Sequence, residues 1–382
     1  MITTSQEIIL KYKNYVESFK GIEEFGIDDR KKYSLSFFGR IIQKIKVYFF
    51  LIIIPKSGSS LNKYIFEGYR FKNIIELFDS NDYSVIAGLS NIFNSIKSKK
   101  TFIWGGGIIA AFEISLHLGK HKYLNKVIQR LDSWSRESQQ VILFLYEDTQ
   151  PLGLVLSTVF SKSKSITTVC IAHGFYPASK KEVVFPGNNC NFNFVWDSCQ
   201  KKFFKTEKNS VIYLGLPYEY NVINIVDINN IILVGHSGPE TNFYEYLLTY
   251  SHLFFIYNLL KENNISVKFK PHPQDNNFYA KKFFNDDITT DIYKEMGGGA
   301  ILLGFFSSIL YEAQAHGLHV IGLDTSLLSH DRSYQADKSF KSDEYINIPS
   351  YLVSLNLTSN NKIDPLPLEK RFYNAVSSIQ NN

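Results

Sequence analysis

KFKPHPQD, residues 268–275, and ILLGFFSSILYEAQAHG, residues 301–317, decide how this chain is read. In the first, a short apolar alternation stops at Lys270, and Pro271 and Pro273 bracket His272. Prolines favour extended backbone and offer no amide hydrogen, so the imidazole stands at a strand end instead of inside a helix. In the second, an apolar run closes on Ser307 and Ser308, where a helical pattern begins. Serine there either caps the helix by accepting a first-turn amide or joins those amides in holding an anion. Both stretches read as strand-to-helix corners facing one phosphate.

Working outward, the same rhythm fills the chain from residue 100 onward. KTFIWGGGIIAAFEISLHLG and QQVILFLYEDTQPLGLVLSTVF each read strand, turn, helix, and the strands SITTVCIAHGF and SVIYLGLP follow. After the linker-like EYNVINIVDINN come IILVGHSG, a helix over residues 244–261, ISVKFKPHP, AILLGFFSS and HVIGLD. Strands alternating with helices of this length predict α/β architecture, with doubly wound parallel sheets covered on both faces. A boundary near residues 218–230 divides the pattern into two lobes. The expected organisation is a helical segment over 1–60, a first lobe over 61–220, a second over 228–350 and a helical return over 351–382. In open α/β sheets ligands bind outside the carboxyl ends of the strands, and every motif of interest falls at such an end.

Composition bounds the reading. A chain of 382 residues that is 45% hydrophobic and 20% charged is globular and long enough for two cores. Its net charge of +5 suits an anionic ligand or membrane surface and is too small to require nucleic acid. Cys170, Cys190 and Cys199 fit neither a zinc site nor a disulfide framework, and the N-terminus lacks a signal-peptide layout, so a cytoplasmic location is expected. GRIIQKIKVYFFLIIIPKSG, residues 39–58, has an apolar core from Val47 to Ile54, too short to span a bilayer. With Arg40, Lys44, Lys46 and Lys56 around it, it reads either as a buried strand or helix or as an interfacial patch on the inner membrane.

The polar residues at the strand ends suggest chemistry. His272 at its corner can donate to a phosphate oxygen and stabilise charge on a departing nucleotide. Glu312, four residues after Ser308, lies on the same helical face and can accept from ribose hydroxyls. Glu147 and Asp148 end the strand VILFLY, where a carboxylate can either take a proton from an acceptor hydroxyl or cap the next helix. His173-Gly174 ends another strand and is a rival base or acceptor contact. In GHSG, residues 235–238, Gly235 and Ser237 can approach a phosphate or sugar carboxylate.

KPHP followed by SSILYEA resembles the HP and SS motifs of bacterial sialyltransferases and related surface-glycan glycosyltransferases. The resemblance covers residues 231–324 well and the first lobe less well. It implies a GT-B fold whose C-terminal lobe binds the nucleotide sugar through Lys270, His272, Pro273, Ser307, Ser308, Glu312, Gly235 and Ser237. It implies a CMP-linked nonulosonate as donor, a glycan as acceptor and no further cofactor. HP motifs also occur in Kdo transferases and teichoic-acid glycerophosphotransferases, so another nucleotide donor stays open. The acidic motif of the sialyltransferases ends in glycine, whereas Thr149 stands there in LYEDTQPLG. His173-Gly174 resembles a turn of capsule and teichoic-acid transferases. No Asp-x-Asp triplet occurs, which fits a site that works without metal.

Two other classes compete. In WGGGIIA, Gly105, Gly107 and Ala110 fit the spacing of a dinucleotide fingerprint, with Asp132 of NKVIQRLDS at the end of a possible next strand. That reading makes the chain a nicotinamide- or flavin-dependent enzyme, whereas the glycosyltransferase reading gives Gly106 and Gly107 to the acceptor. The other is a non-catalytic glycan-assembly protein. An acidic pair opposite a phosphate corner argues against it, because a binding module needs no base.

Overall fold

The computed structural model describes residues 3–20, 36–53, 61–68, 71–79, 82–87, 101–137, 139–172, 178–179, 189–196, 210–223, 227, 229–235, 243–273, 275, 278–285, 287–305, 307–324, 330–331, 336–355 and 365–380. His173, Gly174 and Ser237 lie outside the described residues.

The first sheet contains β1 (Tyr64–Glu67), β2 (Tyr83–Ala87), β3 (Thr101–Trp104), β4 (Val141–Leu145), β5 (Ile166–Ile171), β7 (Phe192–Val195) and β8 (Ser210–Tyr213). Its order is β3-β2-β1-β4-β5-β7-β8, and every pairing is parallel. A strand buried on both faces reads as continuous apolar sequence, and β4, VILFL, shows the consequence. Val141, Leu143 and Leu145 enter one core, while Ile142 and Phe144 enter another on the opposite face. The first face is covered by α1 (Thr4–Lys20), α2 (Phe37–Ile53), α4 (Gly106–Leu118), α5 (Lys122–Glu137) and α6 (Pro151–Phe160), with Ile8, Ile9, Val47 and Phe50 inside its core. The second face is covered by α3 (Lys72–Ile75) and α12 (Leu368–Gln380).

Helix α12 is the C-terminal return. Phe372 sits 5.4 Å from Phe144 and 6.1 Å from Phe194, ring centre to ring centre, so the last helix closes the core of the first lobe.

The second sheet contains β9 (Ile231–Val234), β10 (Val267–Lys270), β11 (Ile301–Gly304), β12 (Val320–Asp324) and β14 (Lys338–Lys341), in the order β10-β9-β11-β12-β14. It too is parallel throughout. Helices α7 (Phe243–Glu262), α8 (Phe278–Phe284), α9 (Ile292–Gly297), α10 (Ser308–Ala315) and α11 (Ile348–Ser354) belong to this lobe. A two-residue antiparallel ribbon, β6 (Ala178–Ser179) with β13 (His330–Asp331), joins a segment after β5 to a segment after β12. The carboxyl edges of the two sheets therefore face each other. Two doubly wound lobes with an interlobe cleft make up the GT-B architecture expected from the sequence.

One element differs from its sequence reading. NKVIQRLDS is not a strand with Asp132 at its end but part of helix α5. Leu124, Val127, Ile128, Leu131 and Trp134 are all buried at helical spacing, which outweighs the brief apolar run.

Candidate functional site

In the second lobe, strand register brings three corners together. Lys270 lies beside Val234, which lies beside Gly304, so β10, β9 and β11 end level. The chain runs from β9 to β10 on one side and returns to β11 on the other. The strand order thus reverses between β9 and β11, the position where doubly wound sheets open a binding crevice. Gly235 follows β9 at that point, with its amide donating to the Lys270 carbonyl at 2.8 Å. A β-carbon on Gly235 would stand 3.1 Å from the His272 nitrogen, so the glycine lets the two corners close up. Ser307 and Ser308 border the same crevice from β11.

His272 is half-buried between a buried Pro271 and an exposed Pro273. Its turn is fixed from behind by Asp275, which sequence reading did not assign. The Asp275 amide donates to the His272 carbonyl at 2.9 Å, and its buried carboxylate accepts from the hydroxyls of Tyr246, at 3.3 Å, and Tyr250. Both tyrosines lie on α7, so this clamp ties the Pro-His-Pro turn to the helix after β9. Ser307 occupies the N-cap of α10 in extended backbone, yet its side chain makes no capping hydrogen bond. The capping alternative is therefore not the one realised.

Two expected donor contacts are engaged elsewhere. The Lys270 ammonium curls back to donate to the Pro271 carbonyl at 2.7 Å, and burial lowers its pKa. Glu312 is buried, accepting from Tyr218 at 2.5 Å and Tyr293 at 3.0 Å. Burial raises its carboxyl pKa while the two hydroxyls pull it down. Burial, followed by the nearness of Glu312, pushes the Tyr218 and Tyr293 phenols up. Glu312 thus faces the chain crossing between lobes, a position its place on α10 four residues from Ser308 did not disclose.

The first lobe repeats the device with opposite chemistry. Its strand order reverses between β1 and β4. Glu67 ends β1, and Glu147 and Asp148 follow β4. The Glu67 carboxylate accepts the Tyr146 amide at 3.1 Å, and Glu147 accepts the Thr149 hydroxyl. Asp148 differs from Glu147: it is completely buried and accepts the Asn189 amide at 2.6 Å. The Cys190 thiol lies 3.9 Å from it, and burial, the Cys170 hydrogen bond and Asp148 itself push that thiol's pKa well up. A carboxylate so enclosed holds the fold. Glu147 and Glu67 remain at the crevice, and Glu67, alone on its strand, had no sequence motif to mark it.

The glycine expected at Thr149, two residues before Pro151, has a counterpart inside α6 at Gly153. A β-carbon on Gly153 would overlap the Glu147 carbonyl and approach the Glu67 carboxylate to 3.2 Å, so this glycine lets the helix crowd the acidic corner. The GGG turn is used differently. A side chain on Gly107 would overlap Phe50 of α2, and one on Gly106 would meet the Trp104 indole at 2.5 Å. A β-carbon on Gly105 would stand 3.1 Å from the Leu152 side chain. These glycines let the turn pack closely against Leu152, Trp104 and Phe50.

Specific bonds hold the lobes together. The Trp196 indole donates to the Ala172 carbonyl at 2.7 Å, and Tyr311 of α10 donates to the Trp196 carbonyl at 2.9 Å. The serine corner of the second lobe is thereby pinned to the ends of β5 and β7. Arg371 of α12 donates to the carbonyls of Leu214, Leu216 and Tyr218 at 3.0, 2.6 and 2.8 Å, fixing the segment that follows β8. Gly215, at φ +78°, leaves room for that guanidinium.

No protein-family model matches the chain, and no curated protein matches it. Among solved structures it is similar to the UDP-GlcNAc 2-epimerase of Methanocaldococcus jannaschii in complex with UDP-GlcNAc and UDP. That match has 12% identity and a TM-score of 0.47, covering 82% of this chain and 99% of that one. It is also similar to the wall teichoic acid polymerase TagF with CDPG, at 11% identity and TM-score 0.44, over 97% of this chain and 93% of that one. A GtfA/B complex matches at 11% identity and TM-score 0.45, over 68% of this chain and 61% of that one.

Proposed function

We propose that this chain is a glycosyltransferase that moves a sugar from a nucleotide donor to a glycan hydroxyl, with CMP-linked nonulosonate as the donor class. The observation that carries the reading is the opposition of two crevices across one cleft: an anion-binding corner at Gly235, His272 and Ser307, and a carboxylate corner at Glu67 and Glu147. The donor phosphate lies at the first corner, where the Ser307 hydroxyl, the opening amides of α10 and the His272 imidazole donate to it. The acceptor hydroxyl enters from the first lobe and gives its proton to Glu147 or Glu67, with His173 the remaining candidate.

Electron flow then follows. The acceptor oxygen attacks the anomeric carbon, and the bond from that carbon to the phosphate oxygen breaks. Its electron pair leaves with CMP as negative charge, which the His272 corner stabilises. Direct displacement inverts the anomeric centre without a covalent enzyme intermediate. Because the two groups lie on different lobes, both act together only in the closed cleft. Kdo, hexose or glycerophosphate transfer from another nucleotide uses the same arrangement, and the motif resemblance favours CMP among them.

A thermal-shift panel of CMP, UDP, GDP and CDP-glycerol tests the reading. Saturation at 100 times Kd stabilises a fold by about 2.7 kcal/mol, enough to raise the midpoint visibly. CMP should give the largest rise. A larger rise with another nucleotide replaces the donor class, and no rise with any of them removes the glycosyltransferase reading.

A further inference from the structure

Helix α2 presents an inverted surface. Its inner side, including Val47 and Phe50, is buried against the first lobe, and Gln43 donates to Glu113 of α4 at 2.5 Å. Its outer side is apolar and in solvent: Ile41, Ile42, Ile45, Phe49, Ile52 and Ile53 are 38–74% exposed. At about 100° per residue these six fall on one continuous arc of the helix. A single exposed isoleucine needs no explanation, but a whole helical face of them does.

The charge around this face has one sign. Helix α2 contains no acidic residue, and Lys44 and Lys46 fall on opposite margins of the apolar arc. On the neighbouring α5, exposed Lys126 lies 5.4 Å from the Tyr48 ring centre, and Lys122 lies beside Tyr123, which meets Tyr48 edge-on. An apolar strip rimmed by lysines matches an acyl layer beneath anionic headgroups. A second copy of the chain would set these lysines against their own kind. No helix among the described residues is long and apolar enough to cross a bilayer, and with its inner side packed α2 can only lie in the membrane plane.

We infer that α2 is an in-plane membrane anchor that docks the first lobe onto an anionic lipid surface. This inference rests on α2 and its rim and stands whether or not the cleft transfers sugar. Flotation of the full chain with vesicles tests it, comparing phosphatidylglycerol–phosphatidylcholine mixtures with phosphatidylcholine alone. The wild type should float with anionic vesicles at low salt, and much less with neutral ones. Ile45→Glu with Ile52→Glu should reduce the bound fraction at least tenfold at any salt. Lys44→Glu with Lys46→Glu should reduce it about tenfold at low salt only, since added salt already screens those charges. All four side chains lie outside the cores, so melting midpoints should match the wild type and exclude misfolding as the cause. Wild-type protein that stays unbound, isoleucine variants that float normally, or equal binding to neutral vesicles would overturn the inference. So would a wild-type dimer that the isoleucine variants dissociate, since the face would then belong to a second copy.

Discussion

The two sheets reverse their strand order by the same device, between β1 and β4 in one lobe and between β9 and β11 in the other, yet the crevices carry opposite chemistry. Among the described residues, the second-lobe corner is built from imidazole, hydroxyls and backbone amides, and its carboxylates turn to tyrosines: Asp275 to Tyr246 and Tyr250, Glu312 to Tyr218 and Tyr293. The first-lobe corner is built from Glu67 and Glu147. A repeated fold therefore supplies two openings, and the residues placed at them divide a group transfer into its two charge problems. One corner receives negative charge from a leaving group, and the other receives a proton.

The largest effect that can break this division is on the acidic side. Glu147→Gln combined with Glu67→Gln should lower turnover by about 10²–10⁴-fold while leaving nucleotide-induced stabilisation intact. Single substitutions should then show which carboxylate carries the loss. Turnover equal to wild type in the double variant would move the base to His173.

On the opposite side, His272→Ala should lower turnover by about 10²–10³-fold, the size seen when one donor to developing charge is removed. A loss confined to KM would make His272 a binding residue only.

The junction should respond in stability. Arg371 is buried with three carbonyls of the segment after β8 on its guanidinium, and Arg371→Ala leaves them without it. A cost of about 2–4 kcal/mol is expected, read as a lower denaturation midpoint. An unchanged midpoint would mean that the lobes are held without this clasp.

The smallest effect sharpens the role of Glu312. Burial raises its carboxyl pKa above the ordinary 4.5, so the folded chain retains a proton that the unfolded chain releases. Its contribution to stability is full below that ordinary value and is lost as pH rises through the raised one. Glu312→Gln carries no charge to desolvate. Its melting midpoint should meet the wild type near about pH 4 and exceed it near about pH 8. A gap that widens toward acid would show that the Tyr218 and Tyr293 hydrogen bonds dominate instead.

The strand ends were legible because local chemistry marks them: Pro271 and Pro273 follow β10, and Ser307 opens α10 three residues after β11 ends at Gly304. Strand order was not legible, since apolar runs such as IILV and ILLG carry no record of which neighbour they pair with. Asp275 and Glu67 escaped notice because their partners lie 25 or more residues away in sequence, at Tyr250 and Tyr146. Asp148 and Glu147 look alike as adjacent letters, and only the segment reaching Asn189 separates a buried carboxylate from one at the crevice. Asp132 was a misreading of period, because its buried neighbours repeat every three or four residues.

The assignment of the nucleotide to the second lobe is tested most directly by calorimetric titration. CMP, or whichever nucleotide raises the melting midpoint most, would be titrated into wild type, His272→Ala, Ser307→Ala and Glu147→Gln. Loss of one hydrogen bond to a charged phosphate weakens binding by about tenfold or more, so Kd should rise by that factor in the His272 and Ser307 variants and stay unchanged in the Glu147 variant. A Kd that rises in Glu147→Gln and holds in His272→Ala would place the phosphate on the first lobe and contradict the account.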